Sequence, residues 1–348
     1  MKPTLKDIAK KSGVSVPTVS MVIHGKGRIS SETRETVLKY ASEVGYPIHQ
    51  LRNQNKTTKE TNTVAVLFNI DPAWAFIWVF IRPVIQEIEQ NMRDAGYTTV
   101  IVPITNEMDD EKIMAKITDI GAKAVFAMHF GNPTLFMTLE QNGIPVVLVM
   151  NNDFQDKFYS ICADDFQGAF EATRYLIDQG HTRLAFIDTE RLNLPRLIHD
   201  RHFGFRKALA EQEIPFSRQL SIRYYNGDEN RFQAALEALL AIEHPPTAFF
   251  CLDDELAAHV IVQLEKLGKS VPHDISLMAH GDVLDYEMPY IPQITTMRVN
   301  TTLMGKAATT MMLDRIKDGD NDLLVVKVRQ QIVDRGSCIP LVDALPGS

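Results

Sequence analysis

From residue 63 onward the sequence alternates between short apolar runs and longer amphipathic segments, which leaves few folds open to it. Four apolar runs come first, and four more follow after residue 180. Because runs that are apolar throughout are typical of strands buried on both faces, they predict parallel sheets covered by helices. The predicted strands are Val64–Phe68, Thr98–Pro103, Ala124–Met128 and Pro145–Val149, followed by residues 183–188, 219–223, 247–251 and 275–279.

Helical segments separate these strands, so the pattern is strand–helix–strand throughout. Two runs of this kind predict two similar Rossmann-like lobes, each with its own parallel sheet. In open α/β sheets a ligand binds at the carboxyl ends of the strands, so we expect a ligand site in the cleft between the lobes. The predicted helices lie near residues 80–95, 108–121, 133–142, 166–179, 197–212, 229–241 and 254–267.

Three short helices are predicted before this alternation, within residues 4–45. Thr4 caps the first helix, which stops where Gly13 permits a tight turn. Ser15 caps the second helix, and the third begins near Ser30. A helix, a glycine turn and a second helix form the geometry that presents the second helix to the major groove of DNA.

The charges are divided unevenly along the chain. Residues 1–60 contain 11 lysines and arginines against 5 acidic residues, a net charge of +6. The whole chain has a formal charge of -8, so the remaining residues carry -14. A basic head on an acidic body indicates that only the head meets a polyanion, although a solvated pair of basic helices would have the same composition.

The overall composition is that of a cytoplasmic protein with two or three domains. The chain has 348 residues, of which 45% are hydrophobic and 23% charged. Its three cysteines, Cys162, Cys251 and Cys338, form no CxxC pair, which argues against a disulfide framework or a structural zinc site. No apolar leader opens the sequence and no 18 consecutive residues are apolar, so neither secretion nor a membrane span is predicted.

No catalytic motif survives inspection of the sequence. Gly268-Lys269-Ser270 is similar to the end of a phosphate-binding P-loop, but Gln263 stands where the earlier glycine is needed. There is no Gly-x-Ser-x-Gly elbow and no His-Glu-x-x-His pair. His199 and His202 can share a helix face, but no further ligand spacing supports a metal. We therefore predict no enzyme, no cofactor and no metal site.

Several segments of the head together closely resemble the DNA-binding head of the LacI/GalR family of transcriptional regulators. They are Leu5–Ala9, Gly13–Ser15, Thr18–Ser20, Thr33–Val37 and Gly45–Tyr46. Landmarks of the same family continue in order: Asp164–Gly168, Gly180–Ile187, Arg201–Leu209, Pro246–Phe249, Asp253–Asp254, Val271–Ser276, Thr295–Thr296 and Asp334–Ser337. The resemblance implies an all-α helix-turn-helix head on a two-lobe α/β domain similar to periplasmic binding proteins. It also implies a homodimeric repressor that binds a palindromic double-stranded DNA operator.

The resemblance further implies which head residues meet DNA. Val16, Pro17 and Met21 fall where the family reads base edges, and their apolar side chains suit thymine methyl groups. Met21 stands where an arginine is common, so the bidentate contact with guanine is given up. Burial in the core is the alternative for Val16 and Met21, and a plain helix-side hydroxyl is the alternative for Thr18. The other expected DNA-binding residues, mainly at phosphates, are Thr4, Ser15, Thr18, Ser20, His24, Lys26 and Arg28.

The family pattern also implies domain boundaries. In the joint between head and sensor, Pro47 comes one residue earlier than usual, and no leucine occupies the position that wedges into the minor groove. Leu51 is the only substitute, so DNA bending stays open. The implied segments are residues 1–46 for the head, 47–62 for the joint, 63–340 for the effector-binding and dimerisation domain and 341–348 for the tail. The lobes comprise residues 63–161 with 292–322, and residues 162–291 with 323–340.

Effector contacts are implied where the family contacts its ligands. Arg201 stands where the family has an arginine on the effector, with an interlobe salt bridge as the alternative. Asp253 replaces a family asparagine, which keeps an acceptor and loses a donor. Burial in the core or at a dimer face is the alternative for the two aromatic residues of the set. The predicted effector-binding residues are Asp71, Trp74, Phe76, Arg201, Asp253 and Asp282.

A sugar or related metabolite is the implied effector, because carboxylates and arginine pair with hydroxyl groups and aromatic rings stack on sugar faces. Two departures weigh against it: Gly281 replaces a family aspartate, and Met150-Asn151 replaces Asp-Arg. They leave open a less polar ligand, or a constitutive DNA-binding regulator whose sensor only dimerises. A solute-binding protein shares the two-lobe fold, but the DNA-binding head argues against it. An enzyme with a dinucleotide in the cleft would need a glycine fingerprint that the chain lacks.

Overall fold

The computed structural model describes residues 4–23, 29–43, 62–70, 78–189, 195–224, 227–318 and 322–341. The chain divides into two compact units, residues 1–61 and 62–348. Residues 47–61 of the joint lie outside the described residues, as do residues 342–348 of the tail. The same holds for six of the predicted site residues, namely His24, Lys26, Arg28, Asp71, Trp74 and Phe76.

The first unit contains the three predicted helices: α1 Leu5–Ser12, α2 Val16–Ile23 and α3 Ser31–Glu43. Gly13 ends α1 with a φ of 70°, in the left-handed region that favours glycine. All three helices contribute to one small apolar core, which fixes the face that each turns inward. The buried core residues are Ile8, Ala9, Val19, Val22, Val37 and Ala41.

The second unit alternates strands and helices as predicted, with boundaries that differ by a few residues. Its first part comprises β1 Thr63–Asn69, α4 Trp78–Asp94, β2 Thr98–Ile104, α5 Asp110–Asp119, β3 Ala122–Met128, α6 Pro133–Gln141, β4 Val146–Val149 and β5 Tyr159–Ala163. Its second part comprises α7 Asp165–Asp178, β6 Leu184–Thr189, α8 Pro195–Glu211, β7 Ser221–Tyr224, α9 Glu229–Leu240, β8 Ala248–Cys251, α10 Asp254–Lys266 and β9 Ser276–His280. The last elements are β10 Thr295–Val299, α11 Thr301–Asp318, β11 Val325–Val328 and β12 Gln330–Val333.

The strands form two six-stranded sheets, one in each lobe. The first sheet has the order β11-β5-β4-β3-β1-β2, and all its neighbours are parallel. The second has the order β12-β10-β9-β8-β6-β7, in which only β12 is antiparallel to its neighbour. The prediction of two parallel-sheet lobes is therefore confirmed, with one antiparallel edge strand that sequence reasoning did not anticipate.

The chain passes between the lobes three times, and the structure corrects two of the predicted positions. Residues 292–322 were assigned to the first lobe, but β10 pairs with β9 and β12 in the second sheet, so the crossing follows Val299. Residues 323–340 were assigned to the second lobe, but β11 pairs with β5 in the first sheet. The final crossing therefore lies between Val328 and Gln330. These short strands take their place from pairing partners far away in sequence, which a local pattern cannot show.

Helices cover both faces of the first sheet, which explains why its central strand β1 is apolar at nearly every position. Val64 and Val66 of β1 pack with side chains of α4 and α11 on one face. Ala65 and Leu67 pack with those of α5 and α6 on the other. Successive side chains of a strand point to opposite faces, so a strand buried on both sides needs apolar residues at every position.

Gly204 lies at a close crossing of two helices in the second lobe, α7 and α8. A Cβ atom at this position would lie 2.1 Å from the carbonyl oxygen of Phe166 on α7. Only glycine therefore lets α8 approach α7 so closely. This contact gives a physical reason for the glycine within the family landmark Arg201–Leu209. It also helps to fix the position of Arg201, one turn earlier on the same helix.

Candidate functional sites

The second helix of the head, α2, separates a buried face from an exposed one. Ser15 caps it, since its Oγ accepts a hydrogen bond from the Thr18 amide at 3.3 Å and pairs with the Thr18 hydroxyl at 2.8 Å. Val19 and Val22 are fully buried in the head core. Met21, in contrast, is 38% exposed, so the alternative that it is a core residue is wrong.

Two of the three predicted base-reading residues lie on the same exposed side of α2. Pro17 and Met21 are both exposed and stand four residues apart, which places them one above the other on the helix surface. Val16 is half-buried and packs against the head core, which supports its core role, while its contact with DNA stays a prediction. These residues stay predicted DNA contacts, presented on a surface that suits them.

At the start of α1, the predicted cap Thr4 pairs with Asp7. The Asp7 Oδ2 atom accepts hydrogen bonds from the Thr4 amide at 2.8 Å and from the Thr4 hydroxyl at 2.7 Å. These bonds lower the pKa of Asp7, first through the side chain and then through the backbone of Thr4. The pair fixes the entry of α1, and the exposed Thr4 remains the predicted phosphate contact.

In the second lobe, three polar side chains meet where the strands end. Arg201 of α8 donates from Nε to the Oδ1 atom of Asp165 at 2.9 Å, and from Nη1 to the Leu252 carbonyl at 2.6 Å. His280, at the end of β9, lies with its Nε2 atom 3.2 Å from the same Asp165 oxygen. Burial, and then the charge of Arg201, hold the pKa of His280 well below its usual value, so the imidazole is neutral.

This cluster changes how Arg201 is interpreted. Asp165 and Arg201 lie on α7 and α8, which both belong to the second lobe, so the alternative of an interlobe salt bridge is wrong. Arg201 is 11% exposed in its side chain and already balances a buried carboxylate. Its predicted effector contact would therefore be made by a side chain whose first role is to neutralise Asp165.

Asp253 and Asp254 begin α10 and have different tasks. The Asp253 carboxylate caps the helix by accepting from the Leu256 amide at 2.8 Å, which a family asparagine could do equally well. Asp254 is fully buried, and its Oδ2 atom accepts from the amides of Val283 and Leu284 at 2.8 and 3.1 Å. Sequence reasoning singled out Asp253 and missed Asp254, although the adjacent pair was itself a family landmark.

Asp254 anchors the loop that follows β9. Besides the two amides, its Oδ2 atom accepts from the Tyr286 hydroxyl at 3.0 Å. Burial raises the pKa of Asp254 to about 6, against the lowering effect of these hydrogen bonds. Among the described residues its Oδ1 atom has no hydrogen-bond partner. The helix start and the loop are thus held together by one buried carboxyl group.

Gly281 follows directly and explains one departure from the family pattern. Its φ is +95°, and a Cβ atom there would lie 3.2 Å from Oδ1 of Asp254. Glycine has no side chain, so this lobe presents no carboxylate at the position where the family has an aspartate. A substituent at residue 281 would have to overcome both the backbone conformation and the crowding.

Asp282 occupies a network of its own, which differs from the predicted effector contact. Its Oδ1 atom accepts from the Thr296 hydroxyl and from Arg335 Nη2, both at 2.7 Å, and Oδ2 accepts from Arg298 Nε. Both carboxylate oxygens are therefore already engaged within the chain. Their donors come from β10 and from the segment after β12, so the structure gives Asp282 a role in holding the loop to the sheet.

On the first lobe, Met150 introduces the loop that faces α8. Its φ is +59°, and its amide donates to the Ile161 carbonyl at 2.8 Å. The Asn152 side chain then donates from Nδ2 to Asp200 Oδ2 at 3.1 Å, a direct hydrogen bond between the lobes. The loop that begins with Met150-Asn151, in place of the family's Asp-Arg, thus contacts Asp200, the residue next to Arg201.

Comparison with known proteins decides the family. The profile described as bacterial regulatory proteins, lacI family, matches residues 4–47, and the profile described as a periplasmic binding protein-like domain matches residues 173–338. The chain belongs to the lacI family of bacterial regulatory proteins. Members of this family are transcriptional repressors and not enzymes, so the chain is a DNA-binding repressor with an effector-binding domain.

Relatives within the lacI family match along nearly the whole chain. The HTH-type transcriptional repressor PurR of Yersinia pestis bv. Antiqua (strain Antiqua) is 29% identical over 341 residues, which cover 96% of each chain. PurR of Yersinia pseudotuberculosis serotype O:3 (strain YPIII) matches to the same extent. The similarity therefore includes both the head and the two lobes.

Solved lacI-family structures share the fold. A cellobiose complex of the transcriptional regulator CelR superposes with a TM-score of 0.67 at 23% identity, covering 97% of this chain and 100% of that one. The lac repressor dimer bound to operator and the anti-inducer ONPF gives 0.65 at 19% identity with the same coverage. A ribose-bound regulator from Enterococcus faecium gives 0.64 at 22%, covering 80% of this chain and 100% of that one.

Two features are absent from the described residues. Among them, no group of three or more histidine, cysteine or acidic side chains is arranged to hold a metal ion. No helix in the same part of the chain is long and apolar enough to span a bilayer.

Proposed function

We propose that this lacI-family repressor binds a palindromic operator as a homodimer, in the cytoplasm, and that a small ligand between the lobes controls the binding. The observation that carries the proposal is the exposed face of α2, with Pro17 and Met21 outward on a head whose other helices bury their apolar sides. Such a surface is suited to base edges in the major groove.

A dimer is expected because the DNA-contacting surface of a single head is small. A single helix meets few base pairs, and specific affinity is normally reached by two heads on a two-fold symmetric site. The sensor supports this with exposed apolar side chains on helix and edge-strand surfaces, where burial against a second copy would be favourable. They include Val79 on α4, Ile101 on edge strand β2 and Val262 on α10.

A carbohydrate-like effector is proposed from two supports. The CelR and Enterococcus faecium structures contain cellobiose and ribose, respectively, in the same fold. In this chain, Arg201 and Asp253 supply a guanidinium and a carboxylate near the carboxyl ends of the second-lobe strands, groups that pair with hydroxyls. Ligand binding would then favour one arrangement of the lobes and so change the geometry of the two heads.

The second candidate is a constitutive repressor whose sensor only dimerises. The engagement of Asp282 by Thr296, Arg298 and Arg335 favours it, because a carboxylate expected to meet the effector is instead committed within the chain. The glycine at position 281 adds to the argument. A thermal-shift panel of sugars separates the two: a selective rise in melting temperature supports sensing, and a flat panel supports the constitutive alternative.

The operator is tested by selecting DNA from a random pool with the full-length protein and measuring affinity by fluorescence anisotropy. We expect an inverted repeat bound by two chains, with affinity falling about 10³-fold between low and moderate salt if about six phosphates are neutralised. Met21→Ala should weaken binding to this operator, whereas Met137→Ala, an exposed methionine of the sensor, should not. A single chain on an asymmetric site, or a flat salt response, contradicts the proposal.

A further inference from the structure

Asn152 and Asp200 form a hydrogen bond that joins the two lobes away from the places where the chain crosses between them. Asn152 lies in the first lobe, in the loop between β4 and β5, and Asp200 lies on α8 of the second lobe. The Asn152 Nδ2 atom donates to the Asp200 Oδ2 atom at 3.1 Å. Among the described residues, no second pair of side chains away from these crossings forms a hydrogen bond or ion pair between the lobes. This one polar contact can therefore set how the lobes are arranged.

The loop that carries Asn152 is held firmly on the first lobe. Its first residue, Met150, has a φ of +59°, which residues other than glycine rarely adopt. Asn151 is buried, and its Nδ2 atom donates to the Phe130 carbonyl at 3.0 Å. The Asn151 carbonyl accepts from the Ser160 hydroxyl at 2.7 Å. Such a backbone conformation persists only where surrounding contacts hold it, so Asn152 is presented to the second lobe in a fixed position.

Asp200 is held equally firmly on the second lobe. Its helix, α8, packs closely on α7 at Gly204, one turn after Asp200. The next residue, Arg201, donates to the Asp165 carboxylate of α7 and to the Leu252 carbonyl. Two side chains on rigid supports meet in one arrangement of the lobes and separate in another, so their hydrogen bond discriminates between the arrangements.

The hydrogen bond is of a strong kind, because its acceptor is a carboxylate and its donor is covered from water. Asn152 is buried, whereas Asp200 is partly exposed. A hydrogen bond to a charged group shifts an equilibrium by at least about tenfold, after the loss of hydration is included. Separation of the lobes returns both groups to water, so the bond biases the lobe equilibrium by about that factor.

We propose that the Asn152–Asp200 hydrogen bond is a latch that holds the two lobes in the arrangement described here when no ligand is bound. The sensor is then preset by its own side chains. A ligand that favours another arrangement has to separate the pair, and a ligand that favours this arrangement adds to the bond. Only the consequence for operator binding rests on the proposed function; the latch itself does not.

The test measures the distance between the lobes by single-molecule FRET on the full-length protein without ligand. Dyes are attached at Lys112→Cys on α5 and Lys207→Cys on α8, two exposed positions on different lobes, and the three native cysteines are buried. Labelled chains are mixed with an excess of unlabelled chains, so that the two dyes observed belong to one chain. Asn152→Asp opposes two carboxylates across the lobes. The ratio of molecules with an altered interlobe distance to molecules with the wild-type distance should rise at least about tenfold.

Exchange of the two groups is the matched control. Asn152→Asp combined with Asp200→Asn restores an amide donor opposite a carboxylate, so the wild-type distance distribution should return. Asn142→Asp makes the same change at an exposed amide that donates to the Thr138 carbonyl within the first lobe, and it should have no effect. The proposal is overturned if Asn152→Asp keeps the wild-type distribution, or if the double variant does not return to it.

Should Asn152→Asp fail to fold, Asn152→Ala decides. It removes the donor without adding a charge, and it must raise the same ratio at least about tenfold; an unchanged ratio overturns the proposal. Operator binding of the wild-type protein is measured on the same preparation. Failure of the wild-type protein to bind DNA contradicts the proposed repressor alone, and a wild-type distance distribution in the Asn152 variants contradicts this inference alone.

Discussion

Arg201 of α8 donates from Nε to the Asp165 carboxylate of α7 at 2.9 Å; the Asp165 side chain is buried and that of Arg201 is largely covered. A buried carboxylate is stable in its ionised form only while its partner remains. The pair therefore contributes to stability whether or not Arg201 also contacts an effector. For any Arg201 variant, the free energy of unfolding has to be measured before a change in ligand binding is interpreted.

Arg201→Met should lower the free energy of unfolding by about 3–5 kcal/mol, because it leaves Asp165 buried and unpaired. Urea denaturation measures the change. Lys207→Met, which removes an exposed ion pair with Glu211 on the same helix, should cost no more than about 1 kcal/mol. The double variant Asp165→Leu with Arg201→Met should recover much of the loss. Equal effects of the two single substitutions would show that the Asp165 pair is not buried as described.

Asp254 should give the protein an unusual gain in stability toward acid. Burial raises its pKa to about 6 in the folded chain, above its ordinary value of 3.8. The folded state binds this proton more readily than the unfolded state, so stability rises as pH falls from about 7 to about 4, by about 3 kcal/mol. The free energy of unfolding of the wild-type protein, measured with urea at several pH values, should increase relative to that of Asp254→Asn as the pH falls over this range.

Asp274 supplies the control of opposite sign. Hydrogen bonds from the Ser270 amide and hydroxyl lower its pKa, so its contribution to stability is present at neutral pH and is lost as pH falls. As the pH falls, the free energy of unfolding of the wild-type protein should therefore decrease relative to that of Asp274→Asn. A pH-independent difference between the wild-type protein and Asp254→Asn would mean that Asp254 is not buried in this way.

Gly281→Ala should be more destabilising than Gly268→Ala. Both glycines have a positive φ, of +95° and +71°, so each substitution incurs backbone strain of about 1 kcal/mol. Only at Gly281 would the new Cβ also crowd a neighbour, the Asp254 carboxylate at 3.2 Å; around Gly268 nothing lies within 4 Å. Thermal unfolding compares the two variants, and an equal loss would rule out the crowding.

Met21→Arg should change what the head reads. An arginine at this exposed position of α2 can make the bidentate contact with guanine, worth about 1–3 kcal/mol of discrimination. Selection from a random DNA pool should therefore show guanine rising at one position of each half-site. Met137→Arg adds the same charge to an exposed helix of the sensor and should leave the selected sequence unchanged. An unchanged preference in Met21→Arg would place residue 21 away from the bases.

Local features of the sequence predicted much of this architecture. Apolar runs located the main strands because those strands are buried on both faces, and a hydroxyl such as Ser15 located the start of a helix because it satisfies a free amide there. The family resemblance then placed Arg201 near the strand ends, but it did not show what Arg201 binds within the chain.

The features that sequence reasoning missed all depend on distant partners. Asp165 and Arg201 are 36 residues apart, and Asp282 and Arg335 are 53 apart. Strand β10 carries Thr295 and Thr296, polar residues that are buried only because β9 and β12 flank them. No periodicity within a short window contains that information, so the lobe crossings and the Asp282 network emerge only in three dimensions.

The three passages of the chain between the lobes have a consequence for the gene as well as for the protein. Everything after residue 300 is divided between the two sheets, with α11 and β11 in the first lobe and β12 in the second. A nonsense mutation between codons 301 and 328 would therefore remove strands from both sheets and damage both lobes together. Neither lobe corresponds to a continuous stretch of codons. A single lobe therefore cannot be expressed or moved to another protein as one gene segment, and the sensor has to be kept whole.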